Sequence, residues 1–161
     1  MSAGNIEFDE VEVGQALPQL AIEVTPSTVV LGALASRDWR PMHHDKDFAQ
    51  DRNGTRHIFI NTPHNAAYFE RYITDWTGPR GRLGRIQFKM RDSVFPGDTM
   101  DFSGKVEAKS VDAAGCGWVE LAIELRVGEK ITTACRARVA VPTAPEDNPW
   151  QRDGEAWKPA V

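Results

Sequence analysis

Apolar positions along the chain follow two periods, and the change between them divides the molecule. In the first half they recur at helical spacing. Thr25-Pro26 supplies a capping hydroxyl and a proline at the first helical position. Val29, Val30, Leu34 and Ala35 then form an apolar face, which predicts a helix to about residue 36. After Ile58-Phe59-Ile60-Asn61 a second helix is predicted, with Thr62 as its cap and Pro63 at its first position. Ala66, Phe69, Ile73 and Trp76 recur at spacings of three and four, the signature of a buried stripe. Gly78-Pro79 ends it.

In the second half the period becomes two. Ile86, Phe88 and Met90 alternate with Arg85, Gln87, Lys89 and Arg91. After the Pro96-Gly97-Asp98 turn, Met100, Phe102 and Val106 resume the alternation. Val119, Leu121, Ile123, Leu125 and Val127 mark the clearest strand. Val127-Gly128-Glu129-Lys130 turns it into a last strand, Ile131 to Val141. These connections are too short for crossovers, so the strands are predicted as an antiparallel meander. With a strand near the N-terminus, the order is strand, helix, loop, long helix, meander. One apolar helix against a curved antiparallel sheet is an α+β layer architecture. Residues 1–141 form the predicted domain, and Pro142 opens a tail over 142–161. Trp150 and Trp157 in that tail predict an arm packed on its own domain or on a neighbouring subunit.

Between the helices lies Ser36-Arg37-Asp38-Trp39-Arg40-Pro41-Met42-His43-His44-Asp45. In a helix Asp38 and His43 would differ by about 500° of rotation and face different sides. Pro41 excludes that, because it pushes Arg40 out of helical angles. The segment must turn as a loop, and a loop is able to bring the two side chains together. A carboxylate beside an imidazole is an acid–base pair. Taken singly, Asp38 is a loop carboxylate capping amides and His43 a loop histidine satisfied by a carbonyl. His44, Asp45 and Asp47 contain metal-ligand types but read as a solvated turn or helix start, so no metal is expected. His57 and His64 carry no motif and are expected at the surface, with His64, in the first turn of the second helix, facing the site as the alternative. Arg37 and Arg40 read as solvated surface.

Composition narrows the rest. The 161 residues suffice for one core, and 41% apolar with 26% charged residues is ordinary for a soluble domain. A net charge of −4 without a basic cluster argues against nucleic acid. The apolar stretches are too short for a membrane span. The acidic stretch Met1 to Glu10 has no apolar signal core. Cys116 and Cys135 form no metal pattern, which suits a reduced cytoplasmic setting and a place in or near the core.

This order and these motifs resemble the hotdog fold and, within it, the MaoC-like (R)-specific enoyl-CoA hydratases. That family's loop reads roughly Ser-Gly-Asp-x-Asn-Pro-aliphatic-His-x-Asp, with alanine four residues on. Ser36, Asp38, Pro41, Met42, His43, Asp45 and Ala49 fall on it. Lys89 to Asp98 is similar to a second family feature, a basic strand running into Pro-Gly-Asp. Arg37-Asp38, His43 to Asp47, Ile58 to Asn61 and Arg71 to Pro79 look like a narrower group, the small MaoC-like subunits of actinobacterial steroid side-chain hydratases. The resemblance implies a hotdog sheet wrapped around a central helix. It implies that Asp38 and His43 are catalytic in hydrating a 2-enoyl-CoA with a bulky acyl group. It further implies acyl-CoA as the partner molecule, no cofactor beyond that CoA, and pairing as a homodimer or with a second hotdog chain. Arg37 stands where glycine is usual, Arg40 where asparagine is, and Lys46 where proline is; for the two arginines, contact with CoA phosphates is the alternative to solvated surface. The His-Gly that opens the central helix gives way to Asn61-Thr62, whose amides are the expected oxyanion donors. Ser36 is expected to support the loop. A hotdog thioesterase and a non-catalytic acyl-CoA-binding subunit are the alternative readings.

Overall fold

The computed structural model describes residues 5–159. Met1 to Gly4 of the acidic N-terminal stretch and Ala160 and Val161 of the tail lie outside the described residues. The elements run β1 (Leu20–Glu23), α1 (Pro26–Ala35), α2 (Lys46–Asp51), α3 (Thr62–Thr77), β2 (Arg82–Met90), β3 (Thr99–Val111), β4 (Gly117–Val127) and β5 (Lys130–Val141). One of the four 3-10 turns among the described residues spans Pro41–His43. All pairings are antiparallel, and the spatial order is β1-β3-β4-β5-β2. This is the hotdog architecture: one sheet curved against one long helix.

The meander is real for β3, β4 and β5 only. β2 crosses to the far edge and pairs with β5, in the register Ile86↔Ala137 and Phe88↔Cys135. Alternation says which face a residue occupies and nothing about which strand lies beside it, so the sequence could not place β2. Gly128-Glu129 closes β4 onto β5 as a two-residue turn, and Gly128 supplies the left-handed φ of 57° that such a hairpin needs.

The α3 stripe and the inward strand positions make one core. Phe69 is fully buried, with its ring 5.9 Å from Phe88 and 5.3 Å from Phe102. Leu121, Ile123 and Leu125 of β4 lie beneath it, each buried. The helix comes so close at Gly104 that a Cβ there would lie 3.4 Å from Tyr72 and 3.2 Å from Ile123. Both cysteines are free and buried, and burial pushes their thiols up, Cys116 to about 11 and Cys135 to about 12. They are inert packing groups.

α1 departs from its predicted face. Val29 and Ala33 are the residues it buries, while Leu31 and Leu34 are 63% and 45% exposed. The helix lies at the margin of the fold, so only a narrow strip of it meets the core.

The tail folds onto the outer face of its own sheet. Trp157 packs against buried Trp118 with ring centroids 4.9 Å apart and planes tilted by 41°, and the Arg82 guanidinium lies 3.7 Å from the Trp157 ring. The Trp150 indole N–H donates to the Gly81 carbonyl at 3.2 Å. Among the described residues no helix is long and apolar enough to cross a membrane.

Candidate active site

Two caps and one strained residue position the loop after α1. Ser36 ends the helix, and its hydroxyl donates back to the Gly32 carbonyl at 2.7 Å. Arg37 then takes the left-handed conformation, φ 54°, the sole non-glycine residue to do so among those described. This is the position where the resembled family carries glycine, so the backbone shape persists without the residue that favours it. The reversal returns the Asp38 N–H to the Ala33 carbonyl at 2.9 Å and aims the Asp38 carboxylate inward. Pro41 opens the 3-10 turn that carries His43, and Asp45 caps α2 by accepting from the Phe48 N–H at 3.0 Å.

The loop brings Asp38 and His43 together. His43 is 2% exposed. Its Nδ1 lies 2.8 Å from the Phe59 carbonyl, and its ring meets the Phe59 ring edge-on at 4.8 Å. A carbonyl only accepts, so Nδ1 carries the hydrogen and the neutral ring keeps its lone pair on Nε2. Nε2 is buried and faces Asp38 Oδ2 at 3.5 Å. Two acceptors in that position are reconciled by a proton or a proton donor between them.

Asn61 ties this pair to α3. It is 2% exposed. Its amide nitrogen donates to Ser36 Oγ at 2.8 Å and to Asp38 Oδ2 at 3.1 Å. Its oxygen accepts from the His64 N–H at 3.1 Å, which makes Asn61 the N-cap of α3. The predicted cap at Thr62 is therefore one residue late: Thr62 is the first helical residue and Pro63 the second. An asparagine followed by threonine offers two capping side chains, and the buried partners of Asn61 decide between them. Ser36, Asp38, His43 and Asn61 thus form one hydrogen-bonded or facing set. The Thr62 side chain stands outside it and is exposed, while its N–H belongs to the first turn, which has no intrahelical acceptor.

Arg40 was not predicted here. It is 61% exposed at its side chain yet grips the Asp38 carboxylate in a fork, Nε to Oδ1 at 2.8 Å and Nη2 to Oδ2 at 2.7 Å. That fork, helped by the Asn61 amide and the facing His43, holds the Asp38 carboxyl well below the usual carboxylate range. The one signal in the sequence was the spacing: Arg40 follows Asp38 by two, and extended residues two apart share a face.

His64 also departs from its expected surface position. Its ring is half-buried, stacks on Tyr68 at 4.6 Å, and fits over Gly32, where any Cβ would collide with it. Burial lowers its pKa. His44 spends Nε2 on the Trp39 carbonyl at 3.2 Å. Among the described residues no group of three His, Cys, Asp or Glu side chains is placed to hold a metal.

Between α1 and α3 runs an open, mostly apolar cavity of about 510 Å³. Leu31, Ala35, Pro63, Ala67 and Tyr68 line it, and Ser36 stands on its wall. Leu31 and the half-buried His64 both line this cavity, which accounts for an exposed leucine on α1 and for a histidine drawn in from its expected surface position.

A curved sheet around one helix, with an Asp–His pair beside the helix start and an apolar cavity, defines a hotdog protein of the MaoC type. The chain belongs to the MaoC like domain family, which matches residues 9–122. It is 38% identical over 96 residues to the beta subunit of the 3-oxo-4,17-pregnadiene-20-carboxyl-CoA hydratase of Mycobacterium tuberculosis, covering 60% of this chain and 74% of that one. Among solved structures it is similar to the ChsH1-ChsH2 complex of M. tuberculosis, at 28% identity and a TM-score of 0.73, over 81% of this chain and 98% of that chain. It also shares its fold with the R-hydratase PhaJ1 of Pseudomonas aeruginosa, at 20% identity and a TM-score of 0.77, over 87% and 88% of the two chains.

Proposed function

We propose that this chain supplies the water-activating pair of an enoyl-CoA hydratase that converts a 2-enoyl-CoA thioester to its 3-hydroxyacyl-CoA. The observation that carries the reading is the facing of Asp38 Oδ2 and His43 Nε2 at 3.5 Å, with Nδ1 pinned by the Phe59 carbonyl. A water held between the two gives one proton to the pair as its oxygen attacks the β-carbon. The C2=C3 electron pair moves toward the thioester carbonyl, and the α-carbon takes a proton back from the pair. The product keeps the thioester bond and gains one water. As charge builds on the thioester oxygen, N–H groups in the first turn of α3, near Asn61 and Thr62, are the natural donors, at the positive end of a sixteen-residue helix. No cofactor beyond the substrate's own CoA is needed.

The open, mostly apolar cavity of about 510 Å³ between α1 and α3, with Ser36 on its wall, supports a bulky acyl group. The mycobacterial relative, whose name specifies a steroid carboxyl-CoA, supports the same size class. The edge position of β2, the relative's designation as a beta subunit and the likeness to a chain of the ChsH1-ChsH2 complex support pairing with a second hotdog chain, whether identical or not.

One observation favours a second reading, a non-catalytic acyl-CoA-binding subunit. Both oxygens of Asp38 are already held by Arg40, as in a structural ion pair. Co-expression with the partner chain and assay of Asp38→Ala and His43→Ala separates the two. A hydratase loses product formation in both variants, whereas a binding subunit keeps turnover. Release of free CoA from a saturated acyl-CoA would instead identify a thioesterase.

A further inference from the structure

Arg40 sits where no residue with its behaviour is required by the fold. Its backbone is extended, φ −67° and ψ 128°, as the following Pro41 demands. That geometry returns its side chain over Asp38. The two guanidinium–carboxylate bonds are its only side-chain hydrogen bonds among the described residues, and the side chain is otherwise exposed. Asp38 is the reverse case, with only 10% of its side chain exposed and Asn61 and His43 on its inner side. Arg40 therefore covers the carboxylate from the solvent side and occupies both of its oxygens. A carboxylate held in such a fork is a poor acceptor for a proton from water. Only the Arg40 side of the pair is open to solvent, so an incoming anion reaches the guanidinium without disturbing the buried side of the carboxylate.

We propose that Arg40 is a latch: it closes on Asp38 in the empty protein, and a phosphate group of the incoming CoA thioester draws it off. The proposal rests on the hydratase reading above. A guanidinium fork matches phosphate oxygens as well as carboxylate oxygens, so the exchange trades one bidentate partner for another. The pantetheine arm separates the phosphates from the thioester, so Arg40 swings outward, away from the dyad, along the surface it already occupies. Asp38 is left with the Asn61 amide and with His43, the two partners a water-holding carboxylate needs. Arg40 is then a positioning and specificity-determining residue. It makes the base available to a thioester that carries phosphates and withholds it from one that does not.

The test uses the assembled protein and two substrates with one acyl group, the 2-enoyl-CoA and the corresponding N-acetylcysteamine thioester, which has no phosphate. Arg40→Gln should lower kcat/KM on the CoA thioester by about fivefold and raise it on the truncated thioester by about fivefold. Adenosine 3′,5′-bisphosphate added with the truncated thioester should stimulate the wild type and leave Arg40→Gln unchanged. The charged or titratable groups facing Asp38 are Arg40 and His43, and the Asn61 amide is neutral. Loss of the fork therefore moves the acid limb of Arg40→Gln activity to higher pH. Equal changes on both substrates, with no stimulation, would overturn the latch. Asp38→Asn is the control. Hydration surviving in that variant defeats the hydratase reading itself, whereas its loss alongside a flat Arg40 response defeats the latch alone.

Discussion

Arg37 concentrates the cost of this site in one residue. Its φ of 54° is the left-handed turn that points Asp38 inward, held by a side chain that disfavours it. Arg37→Gly should therefore raise thermal stability, by about 0.5–1 kcal/mol, a shift of a few degrees in Tm by calorimetry. A lower Tm would mean that the Arg37 side chain contributes a contact of its own. Asp38 and His43 were legible in the sequence because a proline between two reactive residues forces a loop. The Arg40 fork was not, since an exposed arginine in a loop has the same appearance whether solvated or paired. Asn61 was legible as a helix-start residue but not as the bridge between Ser36 and Asp38. Those partners lie 25 and 23 residues away, and only folding brings them near.

At the scale of elements, the start of α3 joins stability to chemistry. Asn61 caps the helix with its oxygen and steadies Asp38 with its nitrogen, so one side chain serves two segments. Asn61→Ala should cost about 1–2 kcal/mol in chemical denaturation. Asn61→Asp should restore the cap, yet set a second carboxylate against Asp38 Oδ2 and leave hydration impaired. The stripe of α3 was readable, and Phe69, Ile73 and Trp76 are buried as the spacing demands. The face of α1 was not. Val29 and Ala33 go to the core, Leu31 and Ala35 to the cavity toward α3, and Leu34 stays exposed, and hydrophobicity alone does not distinguish packing from lining. Strand faces followed from alternation, whereas strand order, above all the place of β2 beside β5, depends on pairings that alternation does not encode.

At the scale of the whole molecule, the tail completes the sheet's outer face. Trp157 covers Trp118, and Arg82 stacks on Trp157. Trp157→Ala should destabilise the fold by about 1–2 kcal/mol, measured by denaturant titration, through loss of the aromatic pair and the stacked cation. An unchanged midpoint would show the tail to be a passive cover. The fold class and the paired loop were legible from periodicity, proline placement and motif. The lie of the tail was not, because two tryptophans announce burial without naming the surface that buries them. The central claim is that Asp38 and His43 together add water to an enoyl thioester. The most direct measurement is mass spectrometry of products from steroid and straight-chain 2-enoyl-CoA substrates, with the wild type, Asp38→Ala and His43→Ala each in its assembled form. The account predicts a product heavier by one water from the wild type, strongest for bulky acyl groups, with the loop variants folded but each slower by at least about a hundredfold. Full hydration by either variant would contradict it.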